Sequence, residues 1–395
     1  MISEKMKQLA SNNSVIRAMF EEGKKMAAVY GAENVYDFSL GNPCTPPPEA
    51  VRNAAIDILT HEPEMMVHGY MSNSGYEDAR DSVAASLNRR FGTSFTRQNL
   101  IMTVGAAGGL NVALKTILEP GDEVMLFAPY FGEYNNYISN FDGVPVVVPP
   151  DYTRFSMNLA EAEKLFTPRT KAVIVNSPNN PTGTVYTEEE IQALAALLEE
   201  KSRELGHTIY LISDEPYREI VYGAYEVPYL TKYYHNTIVG YSYSKSLSLP
   251  GERIGYLVIP DEADDSETII GAANVANRIL GYVNAPSLFQ RVIAKCLDAK
   301  VDLEYYNRNR KTLYEGLVKA GFSCVKPEGA FYLWMKSPVE DDKAFCEAAK
   351  KYHLLIVPGS SFGGSGYVRL AYCVSYETIC NALPKFEELA AEYKL

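Results

Sequence analysis

The sequence is poor in the residues that build metal sites and disulfide frameworks. It holds five histidines and six cysteines in 395 residues, and no two cysteines form a C-x-x-C pair. No two histidines have the i,i+4 spacing of a helical metal site, so we expect no metal in this protein. Cysteines scattered over so long a chain are typical of reduced, buried thiols in a cytoplasmic protein.

Long apolar runs and a surplus of basic residues are also absent. No run approaches the roughly 18 apolar residues of a membrane span, so we expect no membrane association. The charged N-terminal segment MISEKMKQLASNNSVIRAMFEEGKK lacks the apolar core and cleavage site of a secretory signal. With 37 basic and 49 acidic residues the formal net charge is −12. This balance argues against nucleic acid as a partner, because such a surface needs a basic face.

The composition is otherwise that of a soluble globular protein with ample material for a core. Hydrophobic residues make up 47% and charged residues 22% of the chain. A length of 395 residues is long for a single core, which predicts two domains, or one large domain with a smaller partner.

Short apolar runs alternate with helical stretches up to about residue 285. LIMTV (100–104), EVMLFAP (123–129), KAVIVNSP (171–178), TIYLIS (208–213) and TIVGYS (237–242) read as strands. A helix follows Thr187, whose spacing to Glu190 is that of a capping box. Strand–helix alternation of this kind predicts a mostly parallel sheet covered by helices.

The pattern changes near residue 286. A long helical span (about 287–319) is followed by strand-like GAFYLWM, another helix, LLIVPG and YVRLAYC. We therefore predict a large α/β domain over residues 47–285. A smaller α+β domain is predicted from residues 1–46 together with 286–395.

Polar residues follow several of the predicted strands, where a parallel sheet binds ligands. Asp214 and Tyr217 follow one strand, and Ser242 and Lys245 follow another. GAAGG (105–109) is either a tight turn or an anion cradle at a helix N-terminus. Taken singly, Asp214 could be a helix cap and Lys245 a surface lysine. GAAGG has neither the dinucleotide nor the Walker spacing, which disfavours a nicotinamide-dependent reductase.

Together these residues include the groups needed to bind a phosphorylated aldehyde cofactor with a pyridine ring. The sequence resembles the class I/II pyridoxal-phosphate-dependent aminotransferases of the aspartate aminotransferase superfamily, which have fold type I. The matching motifs occur in the family's order: SLGNP, Tyr70–Gly75–Arg80 (Y-x4-G-x4-R), GAAGG, PGDEV, PYFGEY, NSPNNPTG, SDEPY, SYSKSLSLPGERIGY, VPGSSFG and YVRL.

The resemblance implies roles for the residues around the cofactor ring. Lys245 would form the Schiff base with the aldehyde of pyridoxal 5′-phosphate and later move a proton at the substrate Cα. Asp214 would keep the pyridine nitrogen protonated. Tyr217 and Asn180 would donate to the phenolic oxygen. Phe131 would stack on the ring; a core phenylalanine is the less favoured alternative.

The resemblance also implies how the phosphate is held. Ser242, Arg253 and the main-chain N–H groups of Gly105, Ala106 and Ala107 would bind it. Relatives often carry a hydroxyl residue in that turn, whereas this chain has two alanines. Tyr70 would reach the phosphate of the neighbouring subunit, which implies a homodimer with shared active sites.

Asn180 is also expected to contact the substrate, and four further residues are expected near it. Arg369 would bind the α-carboxylate as a bidentate pair, and Gly41 would let the N-terminal segment close over it. Ile16 is expected in a lid. Arg278 would recognise a distal carboxylate across the dimer; a solvated helix arginine is the alternative.

The predicted function is transfer of an amino group from an L-amino acid, aspartate or an aromatic one, to a 2-oxo acid such as 2-oxoglutarate. Two alternatives use the same fold: carbon–sulfur β-elimination or decarboxylation, and a non-catalytic regulator. Carbon–sulfur lyases tend to have a histidine where this chain has Asn179, which favours transamination. A DNA-binding regulator would need a basic head domain, and the acidic balance disfavours it.

Overall fold

A computed structural model describes residues 2–11 and 15–395 of the chain; the side chain of Ile16 lies outside what it describes. The helices in this part are α1 (Glu4–Ser11), α2 (Val15–Tyr30), α3 (Glu49–His61), α4 (Glu64–His68), α5 (Glu77–Phe91), α6 (Gly105–Ile117), α7 (Glu133–Asn140), α8 (Leu159–Glu163), α9 (Glu188–Leu205), α10 (Tyr243–Ser246), α11 (Ser266–Ile279), α12 (Ser287–Ala294), α13 (Leu303–Lys319), α14 (Asp342–Lys350) and α15 (Tyr376–Glu392).

Within the described residues, the strands form one large sheet and two smaller ones. They are β1 (Tyr36–Asp37), β2 (Leu100–Thr103), β3 (Glu123–Phe127), β4 (Val144–Val148), β5 (Thr170–Asn176), β6 (Tyr210–Asp214), β7 (Thr237–Ser242), β8 (Gly255–Val258), β9 (Cys324–Val325), β10 (Tyr332–Lys336), β11 (Leu354–Leu355), β12 (Val357–Pro358) and β13 (Tyr367–Ala371).

The large sheet has seven strands in the order β2-β8-β7-β6-β5-β3-β4. Strands β3 to β7 pair in parallel, and β8 runs antiparallel to both β2 and β7. Residues of β3, β6 and β7 are buried on both faces, which explains their unbroken apolar runs. The predicted α/β fold with a mostly parallel sheet is confirmed, with β8 as the reversed strand.

Helix α9 begins where the capping-box spacing of Thr187 and Glu190 predicts it. The Thr187 side chain accepts from the Glu190 backbone N–H, and the Glu190 carboxylate accepts from the Thr187 N–H at 2.7 Å. The predicted capping box is therefore confirmed. The helix ends at Leu205, and the capping residue Gly206 has a φ of +73°, the left-handed conformation that glycine adopts at low cost.

The predicted helical span 287–319 is wrong in its continuity, because α12 and α13 are separate helices. Val292 and Ile293 of α12 join the apolar cluster that contains residues of α3 and α5, whereas Leu313 and Leu317 of α13 pack with α15. Asp302 caps α13 by accepting from the Tyr305 N–H. The chain must therefore leave one core before it enters the other.

The C-terminal part forms a four-stranded antiparallel sheet in the order β12-β13-β10-β9. Strand β1 pairs in parallel with β11, which attaches the N-terminal segment to this part of the molecule. The domain limits 47–285, and 1–46 with 286–395, stay a prediction. The packing of α12 against α3 and α5 favours a limit nearer Asp302. Within residues 2–11 and 15–395, no helix is long and apolar enough to cross a membrane.

Candidate active site

Neighbouring parallel strands end in register and place polar residues at one edge of the large sheet. Asn176, the last residue of β5, pairs with Asp214, the last of β6, and Asp214 pairs with Gly240 of β7. Lys245 lies just beyond β7, in the short helix α10. The carboxylate and the amine therefore belong to adjacent strand ends of the same edge.

A second register brings together the residues predicted to bind a phosphate. Gly255 of β8 pairs with Thr103 of β2 on one side and with Ser242 of β7 on the other. Gly105 follows Thr103 by two residues and has φ of +68°. A Cβ at Gly105 would lie 2.9 Å from Nη2 of Arg253, so the arginine side chain passes directly over the start of α6.

The start of α6 keeps its main-chain donors available. Val104, the residue before the helix, makes no side-chain capping bond, and Ala106 and Ala107 have no side-chain donors of their own. The first N–H groups of a helix have no partner within it and carry a partial positive charge. The Ser242 hydroxyl, 2.7 Å from that of Ser244, and the exposed Arg253 guanidinium add donors nearby. This arrangement suits a phosphate.

Asp214 is buried, with 5% of its surface exposed, and its two carboxylate oxygens differ. Oδ2 accepts from the Tyr134 hydroxyl at 2.5 Å. Oδ1 is buried and has no hydrogen-bond partner among the described residues. Burial raises the pKa of Asp214 to about 7; the bond from Tyr134 opposes this rise and the nearby charge of Glu215 adds to it. Of the two carboxylate oxygens, Oδ1 is thus the one that lacks a hydrogen-bond donor among the described residues.

Lys245 is half-buried, and its amine donates to the carbonyl oxygen of Gly41 at 2.7 Å. Burial is the main cause that lowers the pKa of Lys245 to about 8; the positive charges of Arg253 and Arg369 contribute to this shift, and Cys373 opposes it. A lysine in this state is neutral and nucleophilic at mildly alkaline pH, unlike a surface lysine.

Arg369 of β13 is buried with 1% of its surface exposed and has no acidic partner in the described part of the chain. Its Nη1 donates to Oδ1 of Asn180 at 2.9 Å and its Nη2 to the Ser39 carbonyl at 2.5 Å. Nε has no partner among the described residues. The rings of Tyr332 and Phe362 lie 4.4 Å and 4.7 Å from its Cζ. Because a buried cation without an anion is costly, this pocket favours an anionic ligand.

Tyr217 contacts a residue that was not predicted from the sequence. Its hydroxyl oxygen lies 2.7 Å from that of Tyr332, and both side chains are buried. Burial raises the pKa of Tyr217 well above its ordinary value, so the phenol stays protonated. Gly41 lies against Tyr332, because a Cβ at Gly41 would be 2.0 Å from the Tyr332 hydroxyl oxygen.

The remaining predicted residues lie around this cluster or away from it. Phe131 is half-buried and meets Tyr134 edge to face, with 5.5 Å between ring centroids. Tyr70 is 94% exposed. Arg278 is exposed in the last turn of α11. Within a single chain, then, neither Tyr70 nor Arg278 is buried with the Lys245 cluster.

Two residues of the site, Tyr134 and Tyr332, were missed at the level of sequence. Tyr134 lies in the quoted segment PYFGEY, and Tyr332 lies in the strand-like segment GAFYLWM. Their place in these two segments is the signal in the sequence that could have identified them. Their contacts with Asp214 and Tyr217 span 80 and 115 residues, and no spacing pattern reveals them.

Comparison with known proteins agrees with this geometry. Residues 33–386 match the family model "Aminotransferase class I and II". A probable aspartate/prephenate aminotransferase of Thermus aquaticus is 34% identical over 359 residues, 89% of this chain and 90% of that protein. Aromatic-amino-acid aminotransferase 2 of Thermococcus litoralis is 30% identical over 396 residues, 97% of each chain.

A solved structure has the same fold over the full length of both chains. The crystal structure of an aminotransferase from Eubacterium rectale matches with a TM-score of 0.98 at 47% identity, covering 100% of each chain. The predictions of fold type I and of amino acid transamination are thereby confirmed, and elimination is not favoured. The chain belongs to the class I and II aminotransferases, enzymes that depend on pyridoxal 5′-phosphate.

Proposed function

We propose that the enzyme takes the amino group of an L-amino acid, aspartate or an aromatic amino acid, and passes it to a 2-oxo acid such as 2-oxoglutarate. The observation that carries this proposal is Arg369, a buried guanidinium with an unpartnered Nε and no acidic partner among the described residues. Donor and acceptor both carry an α-carboxylate, which a bidentate pair with Arg369 would neutralise. The bond from Nη1 to Asn180 orients the guanidinium for that contact.

The residues present fit pyridoxal 5′-phosphate. The unpartnered Oδ1 of Asp214 suits a ring N–H, and the start of α6 with Ser242 and Arg253 suits the phosphate. Bound pyridoxal phosphate supplies an aldehyde for attachment and a protonated pyridine ring that withdraws electrons from the substrate Cα. Phe131 would contact the ring, and Tyr217 and Asn180 would donate to its phenolic oxygen.

Lys245 would hold the cofactor covalently and, once released by the substrate, take a proton from the substrate Cα. Its amine is suited to both tasks, because burial lowers its pKa to about 8. The bond to the Gly41 carbonyl holds the amine at the segment 39–41, where the Ser39 carbonyl accepts from Arg369. Asp214 is bonded to Tyr134, whereas Lys245 is bonded to the Gly41 carbonyl, so the carboxylate and the amine have different partners.

Recognition of the substrate side chain is proposed to involve Arg278. The names of the relatives cover aspartate, prephenate and aromatic amino acids, so dicarboxylate and aromatic donors are both candidates. Arg278 is exposed and carries a charge that could meet a distal carboxylate in a neighbouring subunit's site. Asn179, at the position where carbon–sulfur lyases tend to have a histidine, has a structural role in this chain. Its Oδ1 accepts from the Thr182 N–H and hydroxyl, so its side chain serves the turn.

We propose a homodimer with shared sites in the cytoplasm, acting in amino acid biosynthesis. Exposed apolar side chains lie close to Tyr70 in the sequence: Met65 is 83% exposed and Met66 55%. Such a group of side chains is typical of a surface that a partner covers. The six cysteines are free thiols, which suits a reducing compartment.

Shared sites can be tested by subunit complementation. Lys245→Ala and Tyr70→Ala chains, each inactive or impaired alone, are co-expressed with different tags and the mixed dimer is purified. In the mixed dimer one site has both wild-type residues, so we expect about half of the wild-type activity. A mixed dimer no more active than its parents would contradict the shared site.

The substrate proposal is tested by half-reactions. The cofactor-loaded protein is mixed with single amino acids in the absence of a 2-oxo acid, and the loss of its visible band is timed. Aspartate, glutamate and aromatic amino acids should discharge the band faster than amino acids with other side chains. Equal rates for all of them would contradict the proposed preference, whereas no response to any amino acid would contradict transamination itself.

A further inference from the structure

Tyr332 lies next to Arg369, Tyr217 and Gly41. It begins β10, where it pairs with Ala371 of β13, and the same face of β13 carries Arg369 two residues earlier. Its ring lies against the Arg369 guanidinium, with 4.4 Å between Cζ and the ring centroid. Its hydroxyl lies 2.7 Å from that of Tyr217. Tyr332 thus contacts two proposed ligand-binding residues at once.

The position of the Tyr332 hydroxyl depends on the absence of a side chain at Gly41. A Cβ there would meet the Tyr332 hydroxyl oxygen at 2.0 Å and Cζ at 2.7 Å. The Gly41 carbonyl meanwhile accepts from Lys245. The ring of Tyr332 is therefore held between the Gly41 backbone and the Arg369 guanidinium, and its hydroxyl is directed at Tyr217.

Counting protons in the tyrosine pair determines which hydroxyl can donate to which. Each phenol carries one proton, and within the described residues neither hydroxyl has a protein partner other than the other tyrosine. If Tyr217 directs its proton to the phenolic oxygen of the cofactor, it can only accept from Tyr332. Tyr332 is then the donor of the pair, and its own proton is satisfied by the bond to Tyr217.

We propose that Tyr332 is a positioning residue for transamination: its hydroxyl donates to Tyr217 and so directs the Tyr217 proton at the phenolic oxygen of bound pyridoxal phosphate. This inference rests on the proposed role of Tyr217. Two consecutive hydrogen bonds of this kind strengthen each other, because a hydroxyl that accepts a bond becomes a better donor. Burial raises the pKa of Tyr332, and the charge of Arg369 next to its ring opposes this rise, so the cation makes the Tyr332 hydroxyl a better donor than burial alone would leave it.

The test is a pH titration of the visible band of the cofactor-loaded enzyme. A bond from Tyr217 stabilises the ionised phenolic oxygen, so weakening that bond raises the pH midpoint of the band. Tyr332→Phe keeps the ring and removes the hydroxyl, and we expect the midpoint to rise by about 0.5 pH unit. Tyr217→Phe should raise it further, and the double variant should match Tyr217→Phe alone.

The matched control is Tyr222→Phe. Tyr222 is equally buried, belongs to the same apolar cluster, and donates to the Ala330 carbonyl, two residues from Tyr332. Its loss removes one buried hydroxyl without touching Tyr217, so its midpoint should equal the wild-type value. Gly41→Ala is a second way to disturb the same bond, because the added Cβ would displace the Tyr332 hydroxyl from Tyr217. It should raise the midpoint as Tyr332→Phe does.

Three outcomes would overturn the inference. The first is a wild-type midpoint in Tyr332→Phe and Gly41→Ala while Tyr217→Phe shifts, which leaves the proposed function intact. The second is additive shifts in the double variant, since independent effects exclude donation through Tyr217. The third is a wild-type midpoint in Tyr217→Phe, which removes the premise. The proposed function itself fails separately, when no amino acid discharges the band.

Discussion

The Tyr134 hydroxyl donates to Oδ2 of Asp214 at 2.5 Å, while Oδ1 of the same buried carboxylate has no partner among the described residues. One oxygen is thus fixed by the protein and the other is left for a ligand. An unpaired buried oxygen is costly, and the chain tolerates it at the end of β6, where the proposed site requires a carboxylate.

Removal of the Tyr134 hydroxyl is expected to weaken cofactor binding. Tyr134→Phe deletes the donor that opposes the raised pKa of Asp214, so the carboxylate would hold a ring N–H less well. A hydrogen bond to a charged group contributes about 1.5–3 kcal/mol, and we expect the dissociation constant of pyridoxal phosphate to rise roughly 10-fold. Equilibrium dialysis measures it. Tyr130→Phe, whose hydroxyl bonds Asn135, is the control, and equal constants for both variants would contradict this prediction.

Asp214→Asn is expected to stabilise the cofactor-free protein in a pH-dependent way. The pKa of Asp214 is raised from 3.8 to about 7, so the folded state favours the protonated form. The stability that this group contributes is full below about pH 4 and is lost as the pH rises through about 7. Thermal unfolding should therefore show a gap in favour of the variant that widens from pH 5 to 7 and then stays constant. A gap independent of pH would contradict the raised pKa.

Arg369→Lys is expected to impair substrate binding more than folding. Lysine keeps the charge but loses the planar pair of donors that matches a carboxylate, so kcat/KM for amino acids should fall roughly 100-fold. Steady-state kinetics measure the loss, and melting temperatures report on folding. Arg310→Lys is the control, because Arg310 is also buried but bonds Asn307 and the Pro327 carbonyl. Equal kinetic losses in the two variants would argue against a carboxylate at Arg369.

The reactivity of Lys245 should depend on pH in the neutral range. A pKa lowered to about 8 means that the amine becomes neutral as the pH rises through 8 rather than through 10.5. Acylation of Lys245 in the cofactor-free protein, followed by mass spectrometry, should rise about tenfold per pH unit below 8 and level off above it. The exposed Lys343 is the internal reference. A midpoint near 10.5 for Lys245 would contradict the lowered pKa.

Arg278→Ala is expected to separate acidic from aromatic substrates. If Arg278 meets a distal carboxylate, kcat/KM for aspartate should fall at least about 10-fold while that for phenylalanine stays the same. Arg203→Ala is a matched control, because Arg203 is also an exposed arginine in the last turn of a helix. Unchanged aspartate kinetics would make Arg278 an ordinary solvent-facing arginine.

Much of the large sheet could be predicted from the sequence, because buried parallel strands consist of continuous apolar runs. Asp214 and Ser242 end two such runs, and strand ends in a parallel sheet share an edge. Strand β4 was missed, since VPVVV contains a proline and its first residue is exposed. Strand β8 (GYLV) was missed because its first two residues belong to the motif SYSKSLSLPGERIGY, which was assigned to cofactor binding.

The contacts that complete the site depend on packing that no local pattern encodes. Side chains two residues apart lie on the same face of a strand, so Tyr332 and Trp334 share a face. This alternation does not identify which residues that face contacts. Tyr332 reaches Tyr217 because β10 packs beside the chain that follows β6, and Tyr134 reaches Asp214 from α7. Both pairings are set by tertiary structure, so a single sequence cannot reveal them.

The most direct test of transamination is a spectroscopic cycle with the purified enzyme loaded with pyridoxal phosphate. A single amino acid should abolish the visible band, a 2-oxo acid should restore it, and Lys245→Ala should complete neither step at a comparable rate. Absence of a visible band, or release of pyruvate and ammonia without any 2-oxo acid acceptor, would contradict the account.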